Sequence, residues 1–152
     1  MHPYPHTYTA SASGSSTGPV PVSATGLPAI ATSPPPEFDG PAGYWSPETL
    51  LTAAVADCFI LTFRALSRAA RVDWQRLDCT VESVLERADG VAQFTRFRTR
   101  ALLAVKPGVD VDKARQLLEK AEHGCLIANS LRGSRELAAE VVVTADAAGP
   151  TA

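Results

Sequence analysis

The chain has 152 residues, a formal net charge of −2 at pH 7 and 45% hydrophobic residues. The length predicts one domain, the hydrophobic content excludes a wholly disordered chain, and the charge argues against nucleic-acid binding through a positive field. No apolar run reaches the roughly 20 residues that span a bilayer, and the start of the chain lacks the basic and apolar segments of a signal peptide. We therefore expect a cytoplasmic protein without membrane contact, whose three cysteines are reduced thiols.

The first 46 residues differ from the rest, because they contain neither Lys nor Arg and hold most of the Pro and Ser. Alternation over residues 4–10 and 20–24, with a Ser- and Gly-rich turn between them, predicts a β-hairpin. A third short strand is expected near Leu27–Ala31, followed by an extended linker at Pro34–Pro36. The predicted single domain over 1–152 thus comprises strands and linker in 1–46, a core in 47–145 and a tail in 146–152.

The clearest predicted helix begins after Ser46 and runs to about Ala70. Ser46 is a favourable N-cap, Pro47 suits the first helical position, and Glu48 suits the positive end of the helix dipole. Residues 50–63 are apolar on nearly all sides, which predicts a helix that is buried on most sides. In a chain of this size, such burial suggests that a second subunit covers part of the helix.

Strands and helices alternate in the remainder of the chain. Their order after the N-terminal strands and the first helix predicts an α+β fold. The elements are strands over 76–87 and 93–105 joined by Ala88-Asp89-Gly90, a helix over Asp110–Glu122 that His123-Gly124 ends, a short helix over Cys125–Leu131 and a strand over Glu140–Ala145.

Each cysteine has a structural interpretation when it is considered alone. Cys58 lies inside the apolar helix as a small core residue, and Cys79 lies among apolar neighbours in a predicted strand. Cys125 opens a short helix, where it is either a packing residue or a thiol whose pKa the helix dipole lowers.

Two cysteine-containing segments resemble a known family when they are read together. In the first, Cys58 follows Glu48 by ten residues, after Pro47 and Leu50-Leu51. The second is Glu122-His123-Gly124-Cys125-Leu126-Ile127-Ala128-Asn129-Ser130. In this order and at this separation, they resemble the osmotically inducible protein C and organic hydroperoxide resistance (OsmC/Ohr) family of thiol peroxidases. The resemblance covers roughly residues 34–145.

The resemblance implies an enzyme, a cysteine-based organic hydroperoxide reductase. Cys58 would attack the peroxide and become a sulfenic acid, and Cys125 would resolve it as a disulfide. A dithiol reductant, often a lipoylated protein in the family, would restore both thiols, and no metal or organic cofactor is needed. Leu51, Phe59 and Phe63 would form an apolar wall that favours organic hydroperoxides.

Glu48 is the third site residue that the resemblance implies. On one helix, Glu48 and Cys58 are about 15 Å apart along the axis and cannot meet. Two such helices that cross at a two-fold axis would bring Glu48 of one subunit near Cys58 of the other, in agreement with the family's intertwined homodimer. The alternative interpretation of Glu48 is a partner for the helix dipole.

The sequence departs from the family at the cation that activates the thiolate. The family carries an Arg on its N-terminal strands, whereas this sequence has no Arg before Arg64. Without a cation, burial is expected to raise the pKa of Cys58. The candidate replacements are His123, which is the first to test, and His2, His6, Arg96, Arg98 and Arg100. The alternative interpretations are a helix C-terminal cation for His123 and a solvated strand face for the three arginines.

The missing Arg supports a second hypothesis from another functional class. The chain would keep the fold as a non-catalytic dimer that binds a hydrophobic small molecule in the interface cleft. The cysteines would then be packing residues or a redox sensor.

Overall fold

The computed structural model describes residues 2–145, and the chain divides into two compact units between Leu51 and Thr52. The predicted tail over 146–152 lies outside the described residues. The assignment of residues 1–152 to one domain stays a prediction.

The first unit contains a three-stranded antiparallel sheet. Its strands, in spatial order, are β1 (Ser11–Ala12), β2 (Val20–Ser23) and β3 (Ile30–Thr32). The predicted hairpin and third strand are therefore confirmed, but residues 4–10 form no strand. The reason is the length of β2: Ser11 already pairs with Ser23, its last residue, so earlier residues have no partner on that strand.

Two turns replace extended backbone that the sequence predicted in this unit. The Leu27 N–H donates to the Ala24 carbonyl at 3.1 Å, so the third strand begins at Ile30 rather than near Leu27. Pro35 is extended as expected, but Pro36–Phe38 forms one turn of 3₁₀-helix. The extended linker was therefore wrong from Pro36 onward.

Helix α1 spans Pro47–Ala70, which confirms the predicted helix. The Ser46 hydroxyl accepts a hydrogen bond from the Thr49 N–H at 3.2 Å, and the Thr49 hydroxyl accepts one from the Ser46 N–H at 2.8 Å. These reciprocal bonds satisfy backbone donors that the first helical turn leaves without partners.

The burial of α1 within the chain is narrower than the sequence predicted. Its buried residues are Val55, Phe59, Phe63 and Ser67, which form one stripe, whereas Leu61 is 49% exposed. By length and composition α1 is also apolar enough to cross a membrane, because its few polar residues hardly lower its hydropathy. The expectation that no segment is long and apolar enough to span a bilayer was therefore wrong, although the core helices of other proteins also meet this criterion of length and composition.

The second unit contains a sheet in the order β4 (Arg76–Ala88), β5 (Val91–Val105) and β6 (Ser134–Val143). The predicted hairpin is confirmed, with β4 and β5 joined by Asp89 and Gly90 at φ of 52° and 79°. Two successive left-handed residues suit a tight hairpin turn. Strand β6 lies parallel to β5, and two helices form the connection between them.

Strand β6 begins six residues earlier than predicted, at Ser134 instead of Glu140. Gly133 permits this start, because a Cβ added there would lie 2.9 Å from the Phe97 ring. Arg135 then pairs with Phe97 in the parallel register.

The connecting helices are α2 (Val111–Gly124) and α3 (Leu126–Asn129). Asp110 caps α2 by accepting a hydrogen bond from the Lys113 N–H at 2.9 Å. Both predicted helices are present, and α3 is shorter than the Cys125–Leu131 expected.

One core joins α1, α2 and the inner face of the sheet in the second unit. Phe63 packs edge-on against Trp74 at 5.5 Å between ring centroids, and the Trp74 indole donates to the Ser67 hydroxyl at 2.9 Å. This arrangement confirms the α+β class. The other buried core residues are Phe59, Val72, Leu77, Ala101, Leu103, Val105, Ala114, Leu117, Leu118 and Ala121.

Candidate active site

Cys58 and Cys125 lie in one apolar cluster, close enough that each thiol affects the pKa of the other. Cys58 lies in the middle of α1, and Cys125 is the residue between α2 and α3. Both are free thiols. The fold thus brings together the two cysteines that the resemblance pairs, while their catalytic roles stay predictions.

A close approach of α2 to α1 places Cys125 beside Cys58. A Cβ added to Gly124 would lie 3.4 Å from the Thr62 methyl group. The Thr62 hydroxyl is 3.9 Å from the Cys58 sulfur, and the Cys125 sulfur is 3.9 Å from the Val55 carbonyl oxygen. The end of α2 and the residue that follows it therefore pack against the turns of α1 that flank Cys58.

The two thiols differ in their access to solvent. Cys125 is fully buried in an apolar cluster, and Cys58 packs at the edge of that cluster and is partly exposed. A solute can therefore reach Cys58 more readily than Cys125. The remaining members of the cluster are Val55, Val81, Phe94, Phe97, Ala128 and Leu131.

The pKa of Cys58 is lowered, and its causes include no cation. Burial, the largest single cause, would raise this pKa, but several hydrogen bonds together outweigh it, led by those of the Ile127 N–H and the Cys125 thiol. The Thr62 hydroxyl and the Leu126 N–H add to the same effect. The expectation of a raised pKa was therefore wrong, because hydrogen-bond donors stabilise the thiolate.

The pKa of Cys125 is raised to about 11, mainly by burial; the Ala128 N–H opposes this rise and the Cys58 thiol adds to it. The hypothesis that the helix dipole lowers the pKa of Cys125 was therefore wrong. Burial also raises the pKa of Cys79 to about 11, and the charge of Cys125 adds to the rise. Of the three thiols, Cys58 is therefore the one that ionises at the lowest pH.

The cations proposed from the sequence for the second unit lie elsewhere. His123 is 80% exposed, with Nδ1 3.6 Å from a Glu122 carboxylate oxygen. Arg98 pairs with Glu82 at 2.8 Å and Glu136 at 3.3 Å on the outer face of the sheet. This agrees with the alternative interpretation of Arg98 as part of a solvated strand face. Arg96 and Arg100 share the strand parity of Arg98. His2 and His6 are exposed residues of the first unit.

The sequence analysis missed an ion pair next to Cys125. Arg135 Nε lies 3.1 Å from Glu122 Oε1, and the two side chains are 26% and 13% exposed. Both line one small cavity with Cys125. The sequence did carry a signal for a partly buried Arg135. In the alternating pattern of β6, Arg135 is in phase with the apolar residues Leu137 and Ala139.

Part of the predicted apolar wall lies at the site. Phe59 lines the small cavity at Cys125, and Phe63 is a fully buried core residue. A wall formed by Leu51, Phe59 and Phe63 stays a prediction. Leu126 and Ile127, whose N–H groups help to lower the Cys58 pKa, also carry exposed apolar side chains.

Glu48 lies in the first turn of the continuous helix α1. Helix geometry keeps its Cα about 15 Å from that of Cys58 along the axis. A role for Glu48 at the thiol of a second subunit stays a prediction.

The chemistry of the site can be argued from its own groups. Over residues 2–145, no cluster of three or more His, Cys, Asp or Glu side chains could hold a metal ion. The site gathers thiols, backbone N–H groups and an ion pair. A thiolate that accepts several hydrogen bonds suits nucleophilic sulfur chemistry.

Comparison with known proteins identifies the family. A family model described as OsmC-like protein matches residues 40–140, about two thirds of the chain. The chain belongs to the OsmC-like protein family. The OsmC/Ohr resemblance carried by the two cysteine segments is thereby confirmed.

Three relatives illustrate the OsmC-like match. The uncharacterized protein YmaD of Bacillus subtilis is 30% identical over 112 residues, 72% of this chain and 75% of that protein. Peroxiredoxin OsmC of Escherichia coli is 28% identical over 95 residues, 62% of this chain and 65% of that protein. The crystal structure of an organic hydroperoxide resistance protein OsmC from Legionella pneumophila has 26% identity and a TM-score of 0.70, covering 90% of this chain and 96% of that one. These likenesses indicate a redox-related role.

Proposed function

We propose that this OsmC-like protein is a thiol-dependent peroxidase that reduces organic hydroperoxides. The pairing of Cys58 and Cys125 in one apolar cluster supports the proposal most strongly, because their pKa values are shifted in opposite directions. Cys58 is accessible with a lowered pKa, as a peroxide-attacking thiol must be, whereas Cys125 is buried with a raised one. The names of the peroxiredoxin and hydroperoxide-resistance relatives agree with this class of activity.

The first step is attack on the peroxide. The Cys58 thiolate attacks one oxygen of ROOH, the O–O bond breaks, and an S–O bond forms. Cys58 becomes a sulfenic acid while the peroxide is reduced, and the alkoxide leaves as ROH after it takes up a proton.

The second step is resolution by Cys125. Its sulfur attacks the Cys58 sulfenic acid, which forms a disulfide and releases water. Loss of the Cys58 thiolate charge removes one cause of the raised Cys125 pKa, so the resolving thiol ionises more easily after the first step than before it.

The last step returns both thiols to the reduced state. A dithiol, such as a lipoylated protein, transfers two electrons and two protons to the disulfide and becomes oxidised itself. A reducing cytoplasm would supply such a dithiol. The exposed side chains of Leu126 and Ile127 offer apolar contact to the organic group of the substrate.

A homodimer formed through α1 is part of the proposal. The helix is long and apolar, only 17% of its most apolar segment is buried within the chain, and Leu61 is 49% exposed. A second copy of α1 would cover this surface and could bring its Glu48 to the Cys58 of the first copy.

Stopped-flow mixing of the reduced protein with cumene hydroperoxide, compared with hydrogen peroxide, tests the proposed activity. We expect rapid thiol oxidation, with a higher rate for the organic peroxide than for hydrogen peroxide. This oxidation should be absent in Cys58→Ser and should still proceed for one turnover in Cys79→Ser. Equal, slow rates for the wild type and Cys58→Ser would contradict the proposal. Binding of an apolar dye without peroxide consumption would favour the non-catalytic alternative.

A further inference from the structure

Arg135 is a charged residue in a position that β6 otherwise gives to apolar side chains. The residues in phase with it are Leu137, Ala139 and Val141, which pack against the core. Its side chain is only 26% exposed. Burial of a guanidinium without polar partners is unfavourable in free energy, so the contacts of Arg135 must stabilise it in this position.

The contacts of Arg135 reach both sides of Cys125. Its Nε lies 3.1 Å from Glu122 Oε1 at the end of α2, and its Nη1 donates to Asn129 Oδ1 at 2.7 Å at the end of α3. The Asn129 amide in turn donates to the His123 carbonyl at 3.0 Å. One guanidinium therefore ties together the residues that bracket Cys125.

The segment so held carries Cys125, whose apolar cluster Cys58 packs against, and the N–H groups that lower the Cys58 pKa. The N–H groups of Leu126 and Ile127 and the Cys125 thiol all lie between Glu122 and Asn129 in the chain. A shift of this segment would move these hydrogen bonds together.

We propose that Arg135 is a positioning residue of the thiol pair, which holds Glu122 and Asn129 so that Cys125 and the N–H groups of Leu126 and Ile127 face the Cys58 sulfur. Arg135 also neutralises the Glu122 carboxylate, which lines the same cavity as Cys125. The significance for turnover rests on the proposed peroxidase function, but the effect on thiolate formation does not require it.

The other titratable groups near the pair do not perform this task. Cys79 lies on β4 and its pKa is raised by burial, and His123 is exposed beside Glu122. Asp57 is an exposed neighbour of Cys58 on α1. Arg135 is the cation that lines the cavity at Cys125 among the described residues.

The test is the pH dependence of iodoacetamide alkylation at Cys58, measured by peptide mass spectrometry in otherwise wild-type protein. In Arg135→Gln, we expect the midpoint to rise by about one pH unit, which leaves about tenfold less thiolate at pH 7. Arg135→Lys keeps the charge but not the two-sided contact, so its midpoint should lie between those of the wild type and Arg135→Gln. Arg98→Gln is the matched control, because Arg98 also bridges two carboxylates but on the outer face of the sheet, and its profile should equal that of the wild type.

Asn129→Ala provides a second variant if Arg135→Gln does not fold, because it removes one contact and leaves the ion pair intact. We expect a smaller rise of the same midpoint. A wild-type profile in folded Arg135→Gln, or in Asn129→Ala where Arg135→Gln fails to fold, would overturn the proposal. A shifted profile in a protein that consumes no peroxide would instead contradict the peroxidase function and leave the positioning role intact.

Discussion

The Cys58 thiol, whose pKa is lowered, packs against the apolar cluster that contains Cys125, whose pKa is raised to about 11 mainly by burial. The two sulfurs share one apolar cluster, but Cys58 accepts the hydrogen bonds of Ile127 and Leu126 while Cys125 is fully buried. This asymmetry agrees with the proposed roles of Cys58 as the attacking thiol and Cys125 as the resolving thiol.

The Thr62 hydroxyl should contribute measurably to the Cys58 thiolate. In Thr62→Val, which has nearly the same shape, we expect the alkylation midpoint of Cys58 to rise by less than about one pH unit, since one hydrogen bond contributes roughly 1 kcal/mol. Thr62→Ser keeps the hydroxyl and should retain the wild-type midpoint. A midpoint unchanged in both variants would show that the hydroxyl does not stabilise the thiolate.

The exposed face of α1 should mediate dimer formation. We expect the wild type to be a dimer by light scattering at micromolar concentration, and Leu61→Glu to shift it towards monomer because a charge cannot be buried there without a partner. Leu102→Glu, at an exposed position on the outer face of the sheet, should remain dimeric. A folded wild-type monomer would contradict the dimer.

Alkaline pH should destabilise the protein through its buried thiols. A free thiol titrates near 8.5, whereas burial raises the pKa of Cys79 to about 11. Between these values the unfolded chain loses a proton that the folded chain keeps, so the stabilisation is complete below pH 8.5 and is lost as pH rises towards 11. Cys125 adds to this loss, whereas Cys58, whose pKa is lowered, is ionised in both states above pH 8.5 and leaves the slope there unchanged.

Urea unfolding at several pH values measures this effect. The free energy of unfolding should fall less steeply between pH 8.5 and 11 in Cys79→Ala than in Val81→Ala, which truncates a neighbour on the same strand face but keeps every thiol. Parallel pH profiles for the two variants would show that Cys79 does not titrate as the structure indicates.

Local signals predicted most of the fold. Ser46, Pro47 and Asp110 mark the helix starts by side-chain and backbone chemistry that operates within a few residues, and Asp89-Gly90 fixes the hairpin in the same way. The errors arose where pairing between distant segments decides. Strand β6 starts at Ser134 only because it pairs in parallel with β5, and residues 4–10 form no strand because β2 is short.

The site was predictable in its thiols but not in their environment. The resemblance supplied the Cys58 and Cys125 pair from sequence order alone. The N–H groups that contact Cys58 come from the backbone, which no side-chain pattern reveals. Arg135 was missed because its partners Glu122 and Asn129 meet it only through the crossover from α2 to β6.

Disulfide mapping after peroxide treatment tests the central claim most directly. One equivalent of cumene hydroperoxide should remove two free thiols per chain and yield a Cys58–Cys125 disulfide within the chain by peptide mass spectrometry. In Cys125→Ser, the same treatment should leave a sulfenic acid at Cys58 that dimedone captures. Retention of all three thiols, or a disulfide that contains Cys79, would contradict the account.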